Sequence, residues 1–197
     1  SYEAGAGILT CKQAERPQFA DRVIYAGDDT LSFYLLSAMA LCSPGKTKFT
    51  GAANLKIADF SIWRNTLPLL GSRLANMVPK SNGLPVHQEC SAMFPQKIVL
   101  PESLPHDGVL ALVLMSCTWD TPVTFEAGAN PHLNAVMDEL TPIFSDSNVS
   151  FSRNPNEVHI QPGATIHQKP LLPIDPFLTA LLLAFPVIVG GRSAVSG

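Results

Sequence analysis

The sequence predicts an α/β (α+β) domain of three β-α-β-α-β-β units, with its helices buried and its sheets facing outward like a barrel turned inside out. Three observations carry this expectation. Two long blocks run through the same order of elements and a third begins in the same way, which is the signature of an internally repeated architecture. The first helix of each block is apolar all round, as a helix enclosed by protein on every side must be. The 197 residues are 46% apolar and 15% charged, enough to bury one sizeable core. A single domain over 1–197 follows, with units near 22–92, 97–162 and 164–190, the last completed by the N-terminal residues.

The first block opens on the β-rich run Arg22-Val23-Ile24-Tyr25. Gly27-Asp28-Asp29-Thr30 then supplies turn and N-cap chemistry for an apolar helix over Leu31 to Leu41. Beyond Gly45, Lys46 to Thr50 alternates as a strand, and Ile57 to Leu70 has the period of an amphipathic helix closed by Gly71. A weaker strand pair is expected around Arg73 to Val78 and His87 to Ala92. The second block repeats the order, with strand Lys97 to Leu100, turn His106-Asp107-Gly108, helix Val109 to Cys117, strand Pro122 to Glu126 and helix His132 to Phe144. Val149 to Phe151 and Glu157 to Ile160 close it as a hairpin around Asn154-Pro155-Asn156. In the third block Asp175 precedes the apolar helix Phe177 to Ala184 and the strand Pro186 to Val189, and Gly190-Gly191-Arg192-Ser193 reads as a fraying tail.

Charge and composition narrow the functions. A formal net charge of −3 with dispersed signs offers no basic stripe, so nucleic acid is not an expected partner. The strongest apolar run, Phe177 to Gly190, is interrupted by Pro186 and too short to span a bilayer, so no membrane partner is expected either. Ser1-Tyr2-Glu3-Ala4-Gly5 lacks the basic-then-apolar order of a signal peptide. Cys11, Cys42, Cys90 and Cys117 form no C-x-x-C pair and have no histidine at zinc-site spacing. They read as thiols outside any disulfide, which favours a reducing, cytoplasmic compartment, and neither a metal nor a cofactor is expected.

Local wording adds a resemblance. Gly27-Asp28-Asp29-Thr30 before Tyr34 to Ala38, Gly45 to Gly51 followed by Asp59 and Leu67 to Gly71, Pro105-His106-Asp107 before Leu110 to Met115, and Val158 to Pro162 are similar to segments of the enolpyruvyl transferases. The chain resembles above all the second globular domain of 5-enolpyruvylshikimate-3-phosphate (EPSP) synthase, in element order over about 22 to 190. The resemblance implies a fold whose relatives join the enolpyruvyl group of phosphoenolpyruvate to a hydroxyl of shikimate 3-phosphate, in a cleft between two such domains. There a carboxylate pair and a lysine move protons while arginines and lysines clamp phosphate and carboxylate groups.

Carried over residue by residue, the resemblance implies that Asp107 stands where the family has a catalytic aspartate. Glu126 to Leu133 stands where the family has a lysine-glutamate pair and a phosphate-binding arginine, and it holds Gly128, Ala129 and His132 instead. At Asp175-Pro176-Phe177 a second arginine is replaced by Phe177, and the closing lysine-bearing strand and helix have no counterpart. His106, Asn130, His132, Asp28 and Asp175 are the candidate ligand-binding residues, for a small anion such as phosphoenolpyruvate or shikimate 3-phosphate.

Each candidate has a structural alternative. Asp107, like Asp28 and Asp175 in the other blocks, also reads as a helix N-cap. His106 and His132 read as an acid-base pair rather than a zinc site, which needs a third protein ligand. Lys46 and Lys48 read as a solvated strand face, and Trp63 as core.

The expected function is therefore a catalytically degenerate EPSP-synthase-like domain that binds a second such domain or a partner chain, and that is no enzyme on its own. Two other readings stand beside it. One is half of an enolpyruvyl transferase (3-phosphoshikimate 1-carboxyvinyltransferase, shikimate pathway) that is active only with its other domain. The other is a sensor for a shikimate-like ligand, lined by His106, Asp107, Asn130 and His132.

Overall fold

In the computed structural model, residues 18–163 are described, with Asp146 as backbone only, together with the backbone of segments 2–5, 8–12 and 192–196. Two short strands, β1 (Tyr2–Gly5) and β2 (Ile8–Lys12), come first. The first block follows as β3 (Val23–Tyr25), α1 (Thr30–Ala40), β4 (Gly45–Thr50), α2 (Ala53–Ile57), α3 (Ser61–Thr66), a 3₁₀ turn over Leu67–Leu70, β5 (Ser72–Asn76) and β6 (Val86–Cys90). The second is β7 (Lys97–Val99), α4 (His106–Ser116), β8 (Val123–Glu126), α5 (Leu133–Asp146), β9 (Phe151–Arg153) and β10 (Glu157–Ile160). A last strand, β11 (Arg192–Ser196), pairs antiparallel with β2, which also pairs with β1.

The two blocks build the same sheet. Their strand orders are β3-β4-β6-β5 and β7-β8-β10-β9, and in each the first two strands are parallel while the others pair antiparallel. Parallel neighbours need a crossover, and α1 and α4 supply it. These two helices pack on one another, and α4 is buried at every residue from Gly108 to Ser116. Phe49 and Val86 from the first sheet and Phe125 and Val158 from the second join the same core as Phe33 and Leu112. Each such fully buried large side chain contributes about 1.5–3 kcal/mol of transfer free energy.

A polar network crosses the core of the first block. The Ser37 hydroxyl on α1 donates to Gln88 Oε1 on β6 at 2.5 Å and accepts the Trp63 indole N–H at 2.8 Å. Gln88 Nε2 returns a bond to the Ser37 carbonyl at 3.0 Å. All three side chains are buried, so each bond satisfies a group that would otherwise be stranded away from water.

Three expectations need correction. Ile57 to Leu70 is not one helix: Ala58 turns extended (ψ 152°), Asp59 Oδ1 accepts the Ser61 N–H at 2.8 Å, and the chain restarts as α3 and the 3₁₀ turn. Arg192 and Ser193 are not a tail but open β11. Asp107 does not cap its helix, as described below. By contrast Gly71 does close the 3₁₀ turn, at φ +63°, where an added Cβ would lie 2.5 Å from Ser91 Oγ. The helix expected over 177–184, the strand over 186–189 and Asp175 lie outside the described residues.

Candidate functional site

The starts of α1 and α4 meet. Thr30 Oγ1, at the first residue of α1, donates to Asp107 Oδ2 at 2.8 Å, 77 positions along the chain. Gly108 makes room for the loop before α4: a Cβ there would lie 2.9 Å from Leu104 Cδ1, while Tyr34 Cε1 on α1 would stand at an ordinary 3.6 Å.

The two ends are finished differently. At α1 the N-cap is Asp29, whose carboxylate accepts the Ser32 N–H at 3.0 Å and the Ser32 hydroxyl at 3.2 Å. At α4 the N-cap is Pro105, which has no side-chain acceptor to offer. Asp107 sits inside the first turn and sends its carboxylate across to Thr30, so the N-cap reading of Asp107 is corrected. Its charge still faces the positive end of the α4 dipole. The cap role assigned to Asp28 likewise belongs to its neighbour; Asp28 is exposed, and its carbonyl accepts a bond from the Asn54 side-chain amide.

His106 lies between two carboxylates. Its Nε2 is 3.0 Å from Glu139 Oε1 on α5, and its Nδ1 is 3.9 Å from Asp107 Oδ1. The His132 ring stands edge-on to it, centroids 6.0 Å apart at 88°. Asn130 is buried and tied to its loop: Nδ2 donates to the carbonyls of Pro101 (2.7 Å) and Leu104 (3.0 Å), and Oδ1 accepts the His132 N–H at 2.9 Å. It fixes the loop that presents His132. Thus the structure brings His106, Asp107 and His132 together, holds Asn130 behind them and puts Asp28 on the neighbouring turn.

Sequence reasoning missed two contributors. Glu139 falls on the polar face of α5, and no short motif announces a partner 33 residues away. Tyr34, one turn into α1, lies beneath the cluster with its phenol pushed up to about 12, first by burial, then by the negative charges of Asp107 and Asp59. The Asp59 carboxyl is held below its usual range, chiefly by the Ser61 side-chain and backbone hydrogen bonds.

The chemistry available is therefore acidic. Imidazole beside carboxylates can hold and pass a proton, but an incoming anion needs charge-assisted donors. Among the described residues, the lysine and arginine ion pairs are Lys97 with Glu126 (2.7 Å) and Arg153 with Asp138 (2.6 Å), the latter next to Glu139 along α5, and neither is made to Asp107 or Glu139. No three His, Cys, Asp or Glu side chains among them are placed to hold a metal ion. Burial pushes the Cys117 thiol up to about 12 and raises Cys90, which keeps both protonated and unreactive near neutrality. Trp63 is core, and Lys46 and Lys48 lie on the outer side of β4. No helix among the described residues is long and apolar enough to cross a membrane.

No family model and no curated protein sequence matches the chain. Solved structures do. An EPSP synthase from Acinetobacter baumannii superposes with a TM-score of 0.55 at 16% identity, over 74% of this chain and 32% of that one. A second structure of EPSP synthase from that organism gives 0.53 at 17% identity, with the same coverage. The enolpyruvyl transferase NikO from Streptomyces tendae gives 0.48 at 11% identity, over 80% and 33%. The chain has the mixed α/β fold of part of an EPSP synthase, and it spans about a third of the length of the EPSP synthases it matches.

Proposed function

We propose that the chain is a catalytically degenerate domain of the EPSP-synthase fold that acts as a binding module, docking with a second domain of the same kind or with a partner chain in the cytoplasm. In this reading three β-α-β-α-β-β units complete an inside-out barrel, and the partner covers the end where α1 and α4 begin. The observation that carries it is the charge at that end: Asp28, Asp29, Asp107 and Glu139 gather around the helix starts, and no described lysine or arginine pairs with them. A phosphorylated substrate would meet carboxylates there, and two anions within reach repel unless a cation lies between them.

A second reading is favoured by one position. Asp107 stands at the start of α4, where the resemblance puts a catalytic aspartate, so the chain could serve as half of an enolpyruvyl transferase whose other domain brings the cations. One experiment separates the two. The chain is mixed with the separately produced first domain of an EPSP synthase, association is followed by light scattering, and phosphate release from phosphoenolpyruvate and shikimate 3-phosphate is assayed. A complex without phosphate release is the expected result. Phosphate release abolished by Asp107→Asn would establish the half-enzyme instead, and the absence of any complex would remove docking to a domain of this kind.

A further inference from the structure

We propose that the end of the fold where α1 and α4 begin receives a protein segment of one kind, an apolar anchor flanked by lysine or arginine. This rests on the docking reading above and names the chemistry of the partner. The carboxylates do not carry it alone. Beside them lies an exposed apolar patch: Ile57 on α2 is 87% exposed, and Met77 and Val78, which open the loop from β5 to β6, are 39% and 45% exposed. Neighbouring apolar side chains left in water beside polar residues mark a protein-binding surface.

The topology puts patch and carboxylates on one surface. Val86 at the start of β6 lies opposite both Phe49 and Asn76, and β4 runs parallel to β3. The β5–β6 loop therefore emerges at the end where β3 hands over to α1. That loop rests on α2: the Leu84 N–H donates to the Leu55 carbonyl at 2.9 Å, and Gly83 comes so close to the Lys56 carbonyl that no Cβ fits between them. In turn α2 is tied to the turn before α1, through the Ala52 N–H to the Gly27 carbonyl (2.8 Å) and the Asn54 amide to the Asp28 carbonyl. Ile57 is three residues past Asn54, about 4.5 Å along the helix. Asp28 and Asp29 are exposed on that turn, and Asp59, two residues beyond Ile57, is exposed as well.

This pairing selects the partner. An acidic segment would set like charges against Asp28, Asp29 and Asp59. A purely apolar one would strip water from those carboxylates and return no counter-charge. A segment with an aliphatic anchor and adjacent cations satisfies both halves, the anchor removing apolar area from water and the cations pairing with carboxylates. Lys56 and Lys80, exposed on α2 and on the loop, fix its direction: they turn the partner's cations away from the loop and towards Asp28 and Asp29.

The test is fluorescence anisotropy of three labelled peptides against the full chain: an amphipathic leucine–lysine peptide, its leucine–glutamate counterpart and a serine–lysine peptide without the apolar residues. The leucine–lysine peptide is expected to bind about tenfold tighter than either of the others, and less tightly as salt rises. Ile57→Ser and Asp28→Lys, both at exposed positions, should each weaken it about tenfold, while Lys46→Ala on β4 should leave it unchanged. The proposal is overturned if the leucine–glutamate or the serine–lysine peptide binds as tightly, or if folded Ile57→Ser and Asp28→Lys proteins both bind as the parent does. A dimer of the chain alone by light scattering, lost in Ile57→Ser, would also overturn it and give the surface to a second copy. If the chain forms a complex with the first domain of an EPSP synthase yet ignores the leucine–lysine peptide, this inference falls and the docking reading stands; if it binds neither, both fall.

Discussion

The two blocks share a topology yet fill it with opposite chemistry at one layer of the core. In the first sheet Phe49 pairs with Val86 and, two residues along, Thr47 pairs with Gln88; in the second, Phe125 pairs with Val158 and Val123 with Ile160. A buried polar pair thus occupies the place that two aliphatic residues take in the other block. Thr47 Oγ1 bonds the Phe19 carbonyl at 2.9 Å, and Gln88 ties β6 to α1 through Ser37. Strand order is therefore set by alternation and crossover helices, while the filling of the interior is free to be apolar or a closed hydrogen-bonded network.

The largest break in the comparison should come from the apolar layer. Ile160→Ala, at a residue 1% exposed, is expected to cost about 2–5 kcal/mol, as cavity-forming substitutions do, measured by urea unfolding. Gln88→Leu imports the chemistry of the second sheet into the first. It should nonetheless destabilise by about 1–3 kcal/mol, because Ser37 loses both the Oε1 and the Nε2 partner while staying buried. A neutral result would mean that the network can be swapped for an aliphatic layer without penalty, and the contrast between the blocks would lose its energetic meaning.

The helix starts give a smaller contrast. Asp29→Ala removes a true cap and should cost about 1 kcal/mol. Asp107→Ala removes only a partly exposed charge in the first turn of α4 and its bond to Thr30, so a cost of about 0.3–1 kcal/mol is expected. A cost for Asp107→Ala well above that for Asp29→Ala would mean that the bond to Thr30 and the charge at the α4 start stabilise the fold more than a cap does.

The last contrast is invisible near neutrality. Cys117 is raised from 9.0 to about 12 and Tyr34 from 10.0 to about 12, so the folded chain keeps both protons after the unfolded chain has begun to lose them. Their stability is present in full below pH 9 and is lost as pH rises from 9 towards 12. Urea midpoints measured against pH should be flat with respect to these groups below 9 and fall above it. Cys117→Ala should delete the part of the fall that starts at pH 9, and Tyr34→Phe the part that starts at pH 10.

Much of the fold was legible because its signals are local. Apolar runs after Gly27-Asp28-Asp29 and His106-Asp107-Gly108 mark α1 and α4, and Asn154 Oδ1, accepting the N–H groups of Asn156 and Glu157, makes the turn its sequence announced. The break after Ile57 was not legible, because Ala58-Asp59-Phe60 contains neither glycine nor proline and the restart depends on Asp59 meeting Ser61. At the site, His106, Asp107 and His132 were grouped from their residue types and the resemblance, and their meeting in space is given by the fold. Glu139 and Tyr34 were not, since each joins only through packing between helices. The bonds of Asn130 Nδ2 to Pro101 and Leu104 were likewise not legible, since they depend on how the two loops pack.

The central claim is that the α1–α4 end no longer holds an anionic substrate. Calorimetric titration of the chain with phosphoenolpyruvate and shikimate 3-phosphate, separately and together, tests it most directly. No heat of binding is expected with either, because the described residues there present carboxylates and imidazoles without a paired cation. Micromolar binding, roughly −8 kcal/mol, weakened by Asp107→Asn and His106→Ala, would contradict the claim and identify a working anion site.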